Sequence, residues 1–150
     1  MNIRLLSYKE KPPMDLLLLA DPSPKMVEEY LKRGESYIAE SDNQLMGIYV
    51  LLPLTPETVE IVNVAVVEKY QGRGIGKLLV TDAIKRAKGK GYKTIEIGTG
   101  NSSIRQLALY QKCGFRMTGI DIDFFIRHYQ EEIVENGIQC RDRIRLSQDL

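Results

Sequence analysis

The segment Gln71-Gly72-Arg73-Gly74-Ile75-Gly76-Lys77 is where residue type and spacing speak most directly of chemistry. Alternating glycines let the backbone curl, so that several N–H groups can point to one spot. An amphipathic helix follows, with Ile75, Leu78, Leu79, Ala83, Ile84 and Ala87 near helical spacing and Asp82, Lys85, Arg86 and Lys88 on the other side. The free N–H groups and positive dipole of its first turn add to the same place. Such a turn binds phosphate or pyrophosphate, and Arg73 or Lys77 would add charge-assisted contacts. The alternative is a strand–helix turn whose glycines only relieve crowding.

Two familiar phosphate loops fail on spacing. A G-x-x-x-x-G-K-[ST] loop would need glycine at 71 and Ser or Thr at 78, where Gln71 and Leu78 stand. The dinucleotide fingerprint G-x-G-x-x-G would need glycine at 77 or 79, where Lys77 and Leu79 stand. Metal chemistry finds no support, because the only cysteines are Cys113 and Cys140, His128 is the single histidine, and no C-x-x-C occurs. Thiol catalysis lacks a Cys/His pair defined by spacing. Lys and Arg total 21 against 20 Asp and Glu, so overall charge does not steer the chain to nucleic acid or an anionic membrane. Two lone thiols suit a reducing cytosol, the apolar run Leu16–Ala20 is too short to span a bilayer, and the N-terminus has no secretion-signal layout. A cytoplasmic protein is expected.

The 150 residues, 43% hydrophobic and 27% charged, suit one globular domain over 1–150 with its own core. Asn2–Ser7 opens as a strand and Met14–Ala20 as a short helix. Ser23-Pro24 is an N-cap with proline at the first helical position, and Gly34 closes that helix. Strands are predicted at Ser36–Glu40 and Leu45–Leu54, then at the β-branched Glu60–Val67. After the long helix come a strand at Lys93–Thr99, a helix from Ser102 to Lys112, and antiparallel strands at Phe115–Arg127 and Cys140–Leu146. A turn at Glu135-Asn136-Gly137 lies between these last two. One strand–helix–strand unit should be right-handed and parallel, while the other strands favour a mixed α/β or α+β sheet.

Asn101 precedes a helix that continues through Leu107, Ala108, Leu109 and Tyr110 to Gly114-Phe115. Taken with Val64 to Gly76, this element closely resembles the GCN5-related N-acetyltransferase superfamily. The first motif matches that family's Q/R-x-x-G-x-G/A pyrophosphate loop, and the second its Asn…Ala…Leu-Tyr…Gly-Phe element. Glu68 stands where many members carry proline, a change in stiffness more than in chemistry.

The resemblance implies a mixed, mostly antiparallel twisted sheet with a central parallel, splayed strand pair flanked by helices. Acetyl-CoA would lie in the splay as acetyl donor, without a metal. Its pantetheine would pair with backbone near Val64 and Val66, and its pyrophosphate would rest on the amides of Gln71, Gly72, Arg73, Gly74, Ile75, Gly76 and Lys77. Asn101 would contact the coenzyme's arm or orient a water, cap the helix, or do both. The implied reaction is direct attack of an amine on the thioester. It needs a base, an oxyanion donor and a proton for the leaving thiolate. A free N–H near Val64 to Val66 could supply the oxyanion donor if the strand bulges there. Tyr110 is the candidate proton donor, a phenol with an ordinary pKa of about 10. With Ile104, Leu107 and Ala108 as the buried stripe it lies on the flank; a plain core aromatic is the alternative. Glu60 is the candidate base, its alternation matching Val62, Val64 and Val66 unless a bulge intervenes; a solvated strand end is the bland alternative. The acceptor would be a small-molecule amine, with a peptide N-terminus or lysine, or a non-catalytic acyl-CoA sensor, as alternatives. Asp121, Asp123, Glu57 and the acidic Glu131, Glu132 and Glu135 are less specific candidates for drawing a cation. His128, past Phe124-Phe125, reads as a strand or edge residue. The final strand could pair across a two-fold axis, giving a homodimer.

Overall fold

A computed structural model describes all 150 residues. The chain opens with β1 (Asn2–Leu5), α1 (Met14–Ala20) and α2 (Pro24–Arg33). Ser23 caps α2 as expected, its hydroxyl accepting the Met26 N–H at 3.3 Å. β2 (Glu35–Ser41) and β3 (Gln44–Pro53) form a hairpin whose two turn residues, Asp42 and Asn43, both take positive φ. That geometry matches the twist of the strands, and Asp and Asn tolerate it. β4 (Thr58–Val66), α3 (Ile75–Gly89) and β5 (Thr94–Gly100) form the strand–helix–strand unit. α4 (Ile104–Lys112), β6 (Arg116–Asp121), α5 (Phe124–His128), the β7 (Val134–Glu135)/β8 (Ile138–Gln139) hairpin and β9 (Arg143–Asp149) complete the chain.

Seven strands make one sheet in the order β1-β2-β3-β4-β5-β9-β6. All neighbours are antiparallel except β4 and β5. The expected mixed α/β sheet with a central parallel pair is therefore present. One apolar layer lies beneath α3 and α4 and includes Leu79, Val80, Ala83, Tyr110 and Ile97; the other lies beneath α1 and α2 and includes Leu16, Leu17, Val27 and Ile48. Both faces of the sheet centre are covered, which explains why β3 and β4 read as near-continuous apolar runs.

Two features of this sheet position the site. Parallel pairing of β4 with β5 stops at Ile61↔Ile97; beyond it β4 stays with β3 and β5 with β9. The two strands therefore diverge. At the same point β4 bulges: Val50 faces Asn63 and Leu51 faces Ile61, leaving Val62 without an opposite number. An extra residue reverses the alternation of faces. Val59 and Ile61 pack with the α3 layer before the bulge and Val64 and Val66 after it, while Ala65 joins the α1–α2 layer. Glu60 therefore shares a face with Asn63 and Ala65, not with Val64 and Val66.

The C-terminal third departs from expectation. The strand anticipated over Phe115–Arg127 ends at Asp121, because Asp123 turns the chain at φ 58° with its N–H held by Asp142 Oδ1 at 2.9 Å. Phe124 to His128 is then helical. The last strand is Arg143–Asp149 rather than Cys140–Leu146, and it lies between β5 and β6. With both of its edges paired, it cannot join a two-fold partner as supposed; the free edges are β1 and β6. No helix is long and apolar enough to cross a membrane.

Candidate functional site

The glycine turn leads from β4 through a single 3-10 turn, Glu68–Tyr70, into α3. Gly72 and Gly74 hold φ of 79° and 81°, where a side chain would strain the backbone. Gln71 steadies the curl, its Nε2 donating to the Val66 carbonyl at 3.0 Å. The first bond inside α3 runs from Leu78 N–H to Gly74 O, so the amides of Ile75, Gly76 and Lys77 precede any helical acceptor. No side chain caps this end and no acidic residue occupies its first turn. A 15-residue helix thus presents bare donors and an uncompensated positive dipole where the sequence placed the phosphate turn.

A cavity of about 560 Å³ occupies the divergence of β4 and β5. Glu60 to Val64 of β4 and Ile97 to Gly100 of β5 line it, with Tyr110, Phe124, Phe125, Tyr129 and the α1–α2 turn closing around them. Glu60 and Tyr110, far apart in sequence, meet as lining of this one space. Burial pushes the Glu60 carboxyl above its ordinary range, while the Arg143 guanidinium works the other way. Arg143 Nη2 donates to Glu60 Oε2 at 2.7 Å and its Nη1 to Asp121 Oδ2 at 3.2 Å. Tyr110 is 4% exposed, and its hydroxyl has no partner in the protein. Burial raises its pKa well above that of free phenol, so it stays protonated at neutral pH.

Several of the residues expected at the site are placed differently by the fold. Tyr110 is not on the flank of a buried stripe but is itself the buried residue of α4; Ile104 and Ala108 are exposed. The bulge falls at Val62, two residues before the place expected to supply an oxyanion donor. Asn101 does not cap α4, whose N-cap is Ser103, and it does not line the cavity. Its Oδ1 accepts the N–H groups of Arg141 and Asp142 at 2.8 and 3.0 Å, and its Nδ2 donates to Gln139 O at 3.1 Å. The amide is thereby committed to pinning the segment that leads into β9. His128 lies in α5, its ring centroid 4.5 Å from that of Phe124, and it does not line the cavity.

Other residues do not stand out in the sequence. Asp21, Tyr30, Asn63 and Tyr129 form a polar cluster on the cavity wall below α1 and α2, and Arg143 lines the same cavity. Asn63 has a visible signal, a polar side chain inside the β-branched run of β4. The others have none, since Asp21 reads as a helix stop, Tyr129 as part of the polar stretch between the last two predicted strands, and Arg143 as one residue of the final strand.

The acetyltransferase (GNAT) family profile matches residues 7–115. The uncharacterized N-acetyltransferase YvbK of Bacillus subtilis (strain 168) is 65% identical over 136 residues, 91% of this chain and 88% of that one. Among solved structures, a GNAT family acetyltransferase from Elizabethkingia anophelis with acetyl-CoA bound superposes with a TM-score of 0.97 at 51% identity, covering 99% of this chain and 97% of its own. A Bacillus subtilis acetyltransferase in complex with CoA does so with a TM-score of 0.94 at 61% identity, covering 99% and 97%. With a divergent strand pair, a glycine turn at a bare helix end and these relatives, the chain belongs to the acetyltransferase (GNAT) family and is an N-acetyltransferase.

Proposed function

We propose that this chain, residues 1–150 acting as one domain, moves the acetyl group of acetyl-CoA to a primary amine of a small molecule by direct attack in a ternary complex. The observation that carries this reading is the end of β4–β5 pairing at Ile61↔Ile97, which opens a cavity lined by both Glu60 and Tyr110. The CoA-bound relatives support the donor. The freed edge of β4 offers backbone at Val64 and Val66 to the pantetheine amides as an added strand would. The amides from Gln71 to Lys77 receive the pyrophosphate. Asn101 holds the wall of the site in place through Arg141, Asp142 and Gln139, and its second Nδ2 hydrogen is left for the coenzyme's arm or an oriented water.

Glu60, with its raised pKa, takes the proton from the incoming ammonium directly or through water. A backbone N–H at the Val62 bulge can meet the oxyanion. Tyr110 then donates its proton to the departing thiolate, which a hydroxyl on the cavity wall with no protein partner is free to do. A small acceptor is favoured over a protein tail because Tyr129 OH bonds Asp21 Oδ1 at 2.8 Å, tying the chain after α5 to the α1–α2 turn across one end of the cavity. The free state of both Cys113 and Cys140 supports a reducing, cytosolic setting.

The test is release of CoA thiol from acetyl-CoA in the presence of a panel of amines and peptides, with calorimetric titration of CoA in parallel. Binding of CoA without thiol release on any acceptor would leave a sensor; absence of binding would overturn the reading altogether.

A further inference from the structure

The cavity wall below α1 and α2 carries hydrogen-bond acceptors that the protein itself leaves unused. Asn63 is 4% exposed, and its Oδ1 is the one buried side-chain polar atom without a hydrogen-bond partner. The amide cannot be turned to relieve this. Nδ2 donates to the Leu17 carbonyl at 3.0 Å, and a carbonyl can only accept. The same Nδ2 donates to Tyr30 OH at 2.8 Å, which sends the Tyr30 proton onward to Asp21 Oδ2 at 3.4 Å.

Asp21 is also buried and has no cationic partner. Its Oδ1 accepts from Tyr129 OH at 2.8 Å and from the Ser23 N–H at 3.1 Å, while its Oδ2 takes only the Tyr30 hydroxyl. Two lone pairs on Asn63 Oδ1 and one on Asp21 Oδ2 thus receive no donor from the protein, around a shared Tyr30 hydroxyl. Of the charged residues on the cavity wall, Asp21, Glu60 and Glu135 are acidic, and Arg143 alone is basic and already committed to Glu60 and Asp121. A protonated primary amine carries three donors, no acceptor and a positive charge. A carboxylate would add acceptors and like charge.

We infer that the Asp21–Tyr30–Asn63 cluster is a specificity subsite for a second cationic nitrogen of the acceptor, distinct from the amine that is acetylated. The inference rests on the acetyl transfer proposed above, since Glu60 serves the reacting amine and this cluster the remote one. The acceptor is therefore a diamine or polyamine-like molecule rather than an amino acid. Tyr30 and Tyr129 add aromatic surface beside the charge.

The experiment measures kcat/KM by CoA thiol release for diaminoalkanes of three to six carbons, the monoamines of matching length, and the matching ω-amino carboxylates. At the best length the diamine should exceed its monoamine by about 10- to 100-fold, the range expected for hydrogen bonds to a charged group. The amino carboxylate should fall below the monoamine. In Asp21→Asn and Asn63→Leu the diamine-to-monoamine ratio should drop at least tenfold, with melting temperature recorded to show that the variants fold. Should either variant not fold, the ranking in the unaltered protein decides alone. Equal rates for diamine and monoamine, or an amino carboxylate as good as the diamine, would overturn the inference and leave acetyl transfer standing. No thiol release with any amine would overturn both.

Discussion

Arg143 on β9 reaches across β5 to Glu60 on β4, Nη2 to Oε2 at 2.7 Å, with both side chains 18% exposed. The crossing is feasible because the residue beneath it on β5 is Gly98, where a Cβ would overlap the guanidinium. Phe124 lies 5.7 Å below the same guanidinium and Asp121 holds its other nitrogen. The candidate base is thus set by a residue from the last strand.

Arg143→Met should move the acidic limb of the pH–rate profile upward. With Glu60 as the proposed base, activity requires its ionised form, so the rate rises with pH through the Glu60 pKa. Arg143 is what counters the desolvation that raises that pKa. Truncating one side of a largely buried, hydrogen-bonded charge pair should also cost about 2–3 kcal/mol of stability. A profile that stays put, or shifts to lower pH, would show that Glu60 is not the group being titrated.

Tyr110→Phe should lower kcat by about 10²-fold, the lower end for a lost general acid. Because the hydroxyl bonds to nothing in the protein, the ring packing against Phe115 survives and the melting temperature should hardly change. Calorimetric affinity for CoA should be kept. Near-normal turnover would remove Tyr110 from the chemistry.

The glycine turn separates into positions that need glycine and one that does not. Gly74→Ala meets no neighbour but must hold φ at 81°, which should cost about 1–2 kcal/mol. Gly76→Ala sits in ordinary helix, its Cβ 3.6 Å from Leu109 Cδ2, and should raise stability by up to about 1 kcal/mol. Chemical denaturation of the two variants checks this. Equal effects would mean that the turn is not built as described.

Alkaline titration of the phenols offers a check on the packing around the site. Burial raises the pKa of five of the eight tyrosines: Tyr30, Tyr37, Tyr49, Tyr110 and Tyr129. Folding disfavours their anionic form, so the native state is unpenalised below the ordinary pKa of about 10 and loses stability as pH climbs beyond it. Ultraviolet absorbance should show these phenols ionising together with loss of near-ultraviolet circular dichroism. Smooth ionisation of all eight near pH 10 in folded protein would contradict the burial.

Local elements were legible because their causes are local. Ser23-Pro24 and Gly34 bound α2 as read, and Gly72 and Gly74 take positive φ that glycine suits whatever surrounds it. The resemblance carried the order of elements and the splay. Helix α5 escaped because the turn before it depends on Asp142, 19 residues further on.

The chain's own residue order, then, was enough to place the glycine turn before α3 and the parallel unit, and with the family resemblance it singled out Glu60 and Tyr110, which the fold brings to one cavity. Which face Glu60 occupies, that Arg143 attends it, that Asn101 pins a loop, and that Asp21, Tyr30 and Asn63 share one wall were decided by tertiary structure. The physical reason is one extra residue at Val62 and one strand inserted between β5 and β6. Both are outcomes of pairing between distant segments, and no period within a single segment records them.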